Sequence, residues 1–235
     1  MSHVRFEYNI EKDTWNVLRV INELPINDED DLERPFGNLP KDFVIQAKKI
    51  NNEAEKDTFV TNFLENKYKE NKNDINEKIK LFSEKWTLIN DIYFKNLKHI
   101  LQIDIPEDLE YTGYLTSAGS CPFHVSKNWF MIQIAKSEAD IVAAHEMLHI
   151  EFRKKYSLYC RDELKLTPKE FGDFEESSTF LLNEEMGNLF SRPDYGYKEH
   201  QKLRSLLKEE WKKHKDFKEL LMYYITIKNT WKNEN

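Results

Sequence analysis

Val142-Ala143-Ala144-His145-Glu146-Met147-Leu148-His149-Ile150 is the segment around which the rest of this chain is best organised. On a helix of about 3.6 residues per turn, residues four apart share a face, so His145 and His149 point at one place from consecutive turns. Two imidazoles on a largely apolar helix are costly to bury without a partner, and a metal ion provides one. Glu146, between them, is placed to handle protons for a metal-bound water. The flanks support a helix. Ser137 reads as its N-cap, with Asp140 in the acidic slot of a capping box. Ile141, Val142, Ala144, Leu148, Ile150 and Phe152 add apolar cover, and neither Pro nor Gly interrupts 137 to 157.

This HExxH stretch resembles the zincin metallopeptidases. Val142 occupies the Val position of their longer helix signature, uncharged residues surround the motif, and Glu151 departs from a position that is usually apolar. The resemblance covers little more than this helix. It implies zinc, a three-ligand site with one open position, and peptide hydrolysis through a zinc-bound water with Glu146 as general base. Metzincins continue as HExxHxxGxxH. Phe152 and Lys155 stand at the last two of those positions and exclude that branch.

Gluzincins take their third ligand, a Glu, from a later helix, and the segment from Phe171 to Asn183 is the place to look. Gly172 and Asp173 read as its start, with Asp173 as N-cap. Glu176 is the preferred ligand because it shares a face with Phe180 and Asn183, where an Asn can hydrogen-bond around the site. Spacing alone does not fix helix rotation, so Glu175, Asp162 and Asp173 stay open as alternatives. For the oxyanion of the tetrahedral intermediate, the resemblance points to a downstream Tyr or His: Tyr195, Tyr197 or His200.

Composition is compatible with an enzyme core and a polar surface, at 40% hydrophobic, 13% aromatic and 33% charged residues. A net charge of −7 gives no general attraction to nucleic acid or anionic membranes, and neither is expected as a partner. No apolar run of membrane-spanning length occurs. The opening Met1-Ser2-His3-Val4-Arg5-Phe6-Glu7 lacks the apolar centre of a secretion signal, and Cys121 and Cys160 make no disulfide framework. A cytoplasmic protein with reduced thiols is expected.

Along the chain, residues 4–10 read as a short strand. Residues 11–24 read as a helix with Trp15, Leu18 and Ile21 on one side, ended by Pro25, and an acidic loop follows over 26–40. Helices over 42–68 and 75–99, broken at 71–74, suggest an antiparallel hairpin. Strand character returns at 101–105, 111–117 and 128–135, and a long helix is expected over 198–229. The fold expected is therefore α+β and helix-dominated: a mostly helical part over 1–100 and a catalytic part over 101–235, packed as one compact unit. In the zincin layout, a small mixed or antiparallel sheet packs on the HExxH helix. The leading expectation is a zinc metallopeptidase acting on peptides or proteins. A regulatory protease restricted to one protein partner is a second reading. A non-enzymatic helical protein with a structural zinc site, closed for example by Cys121, is a third.

Overall fold

A computed structural model of the chain describes residues 2–23 and 36–231. Its helices outweigh a single mixed sheet, an α+β arrangement. Two compact units interleave along the sequence rather than meeting at one boundary near residue 100: one comprises His3–Leu88 with Glu110–Ala139, the other Ile89–Leu109 with Asp140–Asn235 and the N-terminal pair.

The first unit holds the sheet. Strands β1 (His3–Tyr8), β2 (Glu110–Thr116), β3 (Phe123–His124) and β4 (Trp129–Gln133) lie in the order β1-β2-β4-β3. The β1–β2 and β2–β4 pairs are parallel, and β3 pairs antiparallel with β4. Gly113 sits opposite Phe6 and Phe130 in register, and a Cβ there would come within 2.8 Å of the Phe6 ring. A glycine is what lets the two rings close over the centre of the sheet. The strand expected over 101–105 does not form. Leu101 ends a helix, and Gln102 turns the chain with φ 54°.

Helix α1 (Ile10–Glu23) buries Asp13, Asn16, Val17, Val20 and Ile21. Ile21 was expected inside, but Trp15 is 46% exposed. The difference lies in polar residues that hydrophobic periodicity does not detect. Asp13 accepts from Tyr8, Thr116 and Ser117, and Asn16 donates to Thr116 and the Ser120 carbonyl, so both are satisfied inside. The expected stop at Pro25 and most of the acidic loop lie outside the described residues.

The helix expected over 42–68 is two helices, α2 (Lys41–Lys49) and the start of α3 (Glu53–Leu101). Ile50 is extended, and the Asn52 side chain caps α3 by accepting from the Ala54 and Glu55 amides at 3.0 and 3.1 Å. The break expected at 71–74 is a kink, and the chain does not turn back as a hairpin. Only Asn71 leaves helical geometry (φ −113°, ψ 15°), and its side-chain amide donates to the Lys67 carbonyl at 2.8 Å, substituting for a backbone donor.

The second unit is helical. It contains the end of α3 from Ile89, α4 (Ala139–Leu158) from Asp140, a π-turn at Tyr159–Glu163, α5 (Pro168–Ser178), α6 (Phe180–Met186), α7 (Gln201–His214) and α8 (Phe217–Ile227). Phe152 anchors an aromatic core, its ring centroid 5.2 to 5.8 Å from those of Phe171, Phe174 and Phe217. Tyr93 and Tyr156 tie the end of α3 to α4 by donating to the Ala144 and Leu101 carbonyls, each at 2.8 Å.

Three expected termini differ. Helix α4 begins at Ala139, and the Asp140 carboxylate accepts from the Ser191 amide and hydroxyl instead of closing a capping box with Ser137. Helix α5 starts at Pro168, not Asp173: Thr167 is the N-cap, and Glu170 completes a reciprocal capping box. The helix expected over 198–229 breaks at Lys215, which is left-handed, and Asp216 caps α8. Among the described residues no helix is long and apolar enough to cross a membrane.

Candidate metal centre

Packing of α4 by Tyr93 and Phe152 fixes the rotation of the helix that carries His145, Glu146 and His149. The reciprocal cap at Thr167 sets where α5 begins, and therefore where Glu176, nine residues further on, points. The two helices bring three side chains together. His145 Nε2 and His149 Nε2 are 2.8 Å apart, and Glu176 Oε2 lies 3.6 Å from each. This is the group among the described residues whose donor atoms converge closely enough for a metal ion.

The dimensions fit a first-row divalent ion. Ligands about 2.05 Å from a tetrahedral ion stand about 3.3 Å apart. The two Glu176 edges, at 3.6 Å, are already close to that value, and the imidazole pair needs to open by about half an ångström. Glu176 Oε2 is buried and has no hydrogen-bond partner, an arrangement that an ion would resolve. Two imidazoles and one carboxylate form a donor set that suits zinc and leaves a fourth position for water or substrate.

Further contacts hold these three side chains. Asp194 Oδ2 is 2.6 Å from His145 Nδ1. A carboxylate accepts only, so Nδ1 carries the proton, and Nε2 is the ring nitrogen that faces Glu176. The other Asp194 oxygen accepts from Thr179 at 3.0 Å and pairs with Arg204 at 3.1 Å. Asn183 brackets the Asp194 backbone with reciprocal bonds of 2.7 Å. Arg204 also donates to the carbonyls of Asp194 and Glu176. Gly196 has φ +60°, and a Cβ there would lie 2.6 Å from the Arg204 guanidinium, so the turn after Asp194 accommodates the arginine only with glycine.

Burial disfavours the charged forms throughout the cluster, and pairing opposes it. Burial favours neutral His145, but Asp194 and Glu176 outweigh it and raise the ring's pKa well above its usual value. Burial works against ionised Glu176, yet the two imidazoles hold its carboxyl below the usual carboxylate range. Burial also works against ionised Asp194, which His145 and Arg204 keep lowered. Glu146 is pushed up to about 7 by burial, with the neighbouring imidazoles pulling the other way. A carboxylate poised there suits proton transfer near neutral pH.

The other candidates fall elsewhere. Glu175 is buried with its carboxylate gripped by Arg153 at 2.6 and 2.7 Å, and its nearer oxygen lies 3.9 Å from His149 Nδ1. It therefore sits outside the convergent group, beside the Nδ1 edge of His149. Asp162 is exposed and paired with Arg161. Asp173 pairs with Lys169 at 3.0 Å and His200 at 3.3 Å. Tyr195 and Tyr197 are exposed, and Gln201 donates to both of their carbonyls. His200 is buried against Asp173. Cys121 belongs to the sheet-bearing unit.

Sequence reasoning did not single out Asp194, Thr179 or Arg204. Asp194 is 49 positions from His145, and no periodicity links a turn residue to a helix so distant. The chain matches no protein-family model, no curated protein and no solved structure.

Proposed function

We propose that this protein is a zinc-dependent metallopeptidase of gluzincin type. The observation that carries the reading is the convergence of His145, His149 and Glu176, with Glu146 adjoining His145 in the chain. A divalent ion bound there supplies Lewis acidity and makes water more acidic. The chain's own residues do the rest. The Asp194 carboxylate keeps His145 in the ligating tautomer. Glu146 takes the proton of the attacking water and returns it to the leaving amine, a role its raised pKa favours. A small mixed sheet preceding the histidine helix in the chain agrees with the zincin order.

A structural zinc site would need a fourth protein ligand. The convergent group of three among the described residues favours the catalytic alternative. Peptides or proteins are the proposed substrates, and two cysteines that are not joined in a disulfide fit a reducing, cytoplasmic setting. Digestion of a proteome-derived peptide library tests the reading. Wild type should cleave a defined subset, and Glu146→Gln should retain metal and cleave none. Undiminished cleavage by Glu146→Gln would remove Glu146 as the base.

A further inference from the structure

A cavity with a volume of about 220 Å³ lies wholly within the sheet-bearing unit, and polar side chains stand among its lining residues. Its floor is made by the carboxyl ends of the three parallel strands: Tyr8 closes β1, Thr116 and Ser117 close β2, and Gln133 closes β4. Strand ends leave backbone groups without ladder partners, and open parallel sheets bind ligands outside these ends. The opposite wall is α3 at its kink, which contributes Lys67, Tyr68, Asn71 and Lys78. Tyr68 stacks on Tyr8 with ring centroids 4.7 Å apart, forming a flat side.

The charges in this cavity are unevenly committed. Neither Lys67 nor Lys78 forms an ion pair with a carboxylate among the described residues. Lys67 reaches the Asn38 carbonyl at 3.5 Å, and Lys78 donates to the Ile134 carbonyl. Burial lowers the Lys67 pKa, with Asp13 opposing. Asp13, behind the floor, is occupied by donors from Tyr8, Thr116 and Ser117. Asp74 is exposed at the rim. The Tyr8 and Ser117 hydroxyls spend their protons on Asp13, so toward the cavity they offer lone pairs.

We infer that this cavity binds a small organic oxyanion, its carboxylate or phosphate between Lys67 and Lys78 and a hydroxyl or amino group on the Tyr8 and Ser117 oxygens. The volume limits the ligand to a few non-hydrogen atoms beyond the oxyanion, below the range of about 300–1,000 Å³ typical for drug-sized ligands.

Calorimetric titration of the full chain at constant ionic strength tests this with acetate, glycolate, inorganic phosphate and glycerol phosphate. The carboxylate and phosphate pairs distinguish the two oxyanions; glycolate adds one hydroxyl to acetate, and glycerol phosphate adds a hydroxylated three-carbon arm to phosphate. Saturable millimolar binding by one pair, stronger for its hydroxylated member, is expected. Lys67→Gln and Lys78→Gln should each weaken it at least tenfold, and Lys69→Gln, on the same helix and paired with Glu65, should leave it unchanged. No saturable binding by any of the four overturns the proposal, as does equal weakening by Lys69→Gln, which would indicate general charge attraction. Binding measured this way is independent of metal content and peptidase activity.

Discussion

Asp194→Asn tests how the candidate metal centre is held. The substitution keeps size and removes charge, and neither amide orientation satisfies the site. If the NH2 group faces His145, it meets an Nδ1 that now carries the proton, and the ring must move its proton to Nε2, the atom that would bind metal. If the carbonyl faces His145, the NH2 group meets the Arg204 guanidinium, placing donor against donor at a position now 3.1 Å wide. Loss of a carboxylate behind a ligating histidine typically costs ten- to hundredfold in metal affinity, or about 1.4–2.7 kcal/mol. Here the effect should lie near the upper end, because both orientations are penalised. Folding stability should fall by about 3 kcal/mol, the low end for breaking a buried ion pair, since Arg204 keeps its bonds to the Asp194 and Glu176 carbonyls. Competition titration against a chromophoric zinc chelator gives the affinity, and nitrogen chemical shifts of His145 give the tautomer. Zinc affinity within twofold of wild type would refute the argument that Asp194 sets the ligating form of His145.

Glu176→Gln should abolish stoichiometric zinc binding while Glu175→Gln retains it, because Glu175 faces Arg153; metal analysis of both variants separates the two assignments. Gly196→Ala should destabilise the fold by about 1–3 kcal/mol through its positive φ and the Arg204 contact, and a urea melt reads this directly. The Lys228 ammonium and the Thr167 amide hold the Glu170 pKa down to about 2, so its ionised form contributes stability above its ordinary value of 4.5, and that contribution is lost as pH falls toward 2. Glu170→Gln, which preserves the capping box, should therefore cost about 0.5–1 kcal/mol at pH 7 and nothing near pH 2, as followed by denaturant melts across that range.

Much of this arrangement was legible in the sequence because it is local. Helical spacing put His145 and His149 on one face, and the shared face of Glu176, Phe180 and Asn183 singled out Glu176 over Glu175, the residue that meets both imidazoles. Asn183 does serve the surroundings of the site, through the Asp194 backbone. The strands over 111–117 and 128–135 formed near their expected limits because aromatic and β-branched residues dominate them. What was not legible depended on distant partners or small side-chain acts. The buried face of α1 takes in Ile21 but not Trp15, because Asp13 and Asn16 are buried by bonds to residues about a hundred positions away. Asn52 and Asp216 each start a helix within a run that periodicity reads as continuous. Asn71 bends a helix where the sequence suggested a turn. The Thr167–Glu170 box was readable as T-x-x-E, and it outweighed the Gly172-Asp173 pair as a start signal because it satisfies two backbone donors at once.

The most direct measurement is the zinc content of protein purified in metal-free buffer, alongside His149→Ala, with X-ray absorption at the zinc edge on the loaded protein. One zinc per chain, lost in His149→Ala, with an edge spectrum fitted by two imidazole nitrogens and light oxygen donors, is the predicted result. A stoichiometry near zero, or zinc that survives His149→Ala, would contradict the assignment of His145, His149 and Glu176 as a metal centre.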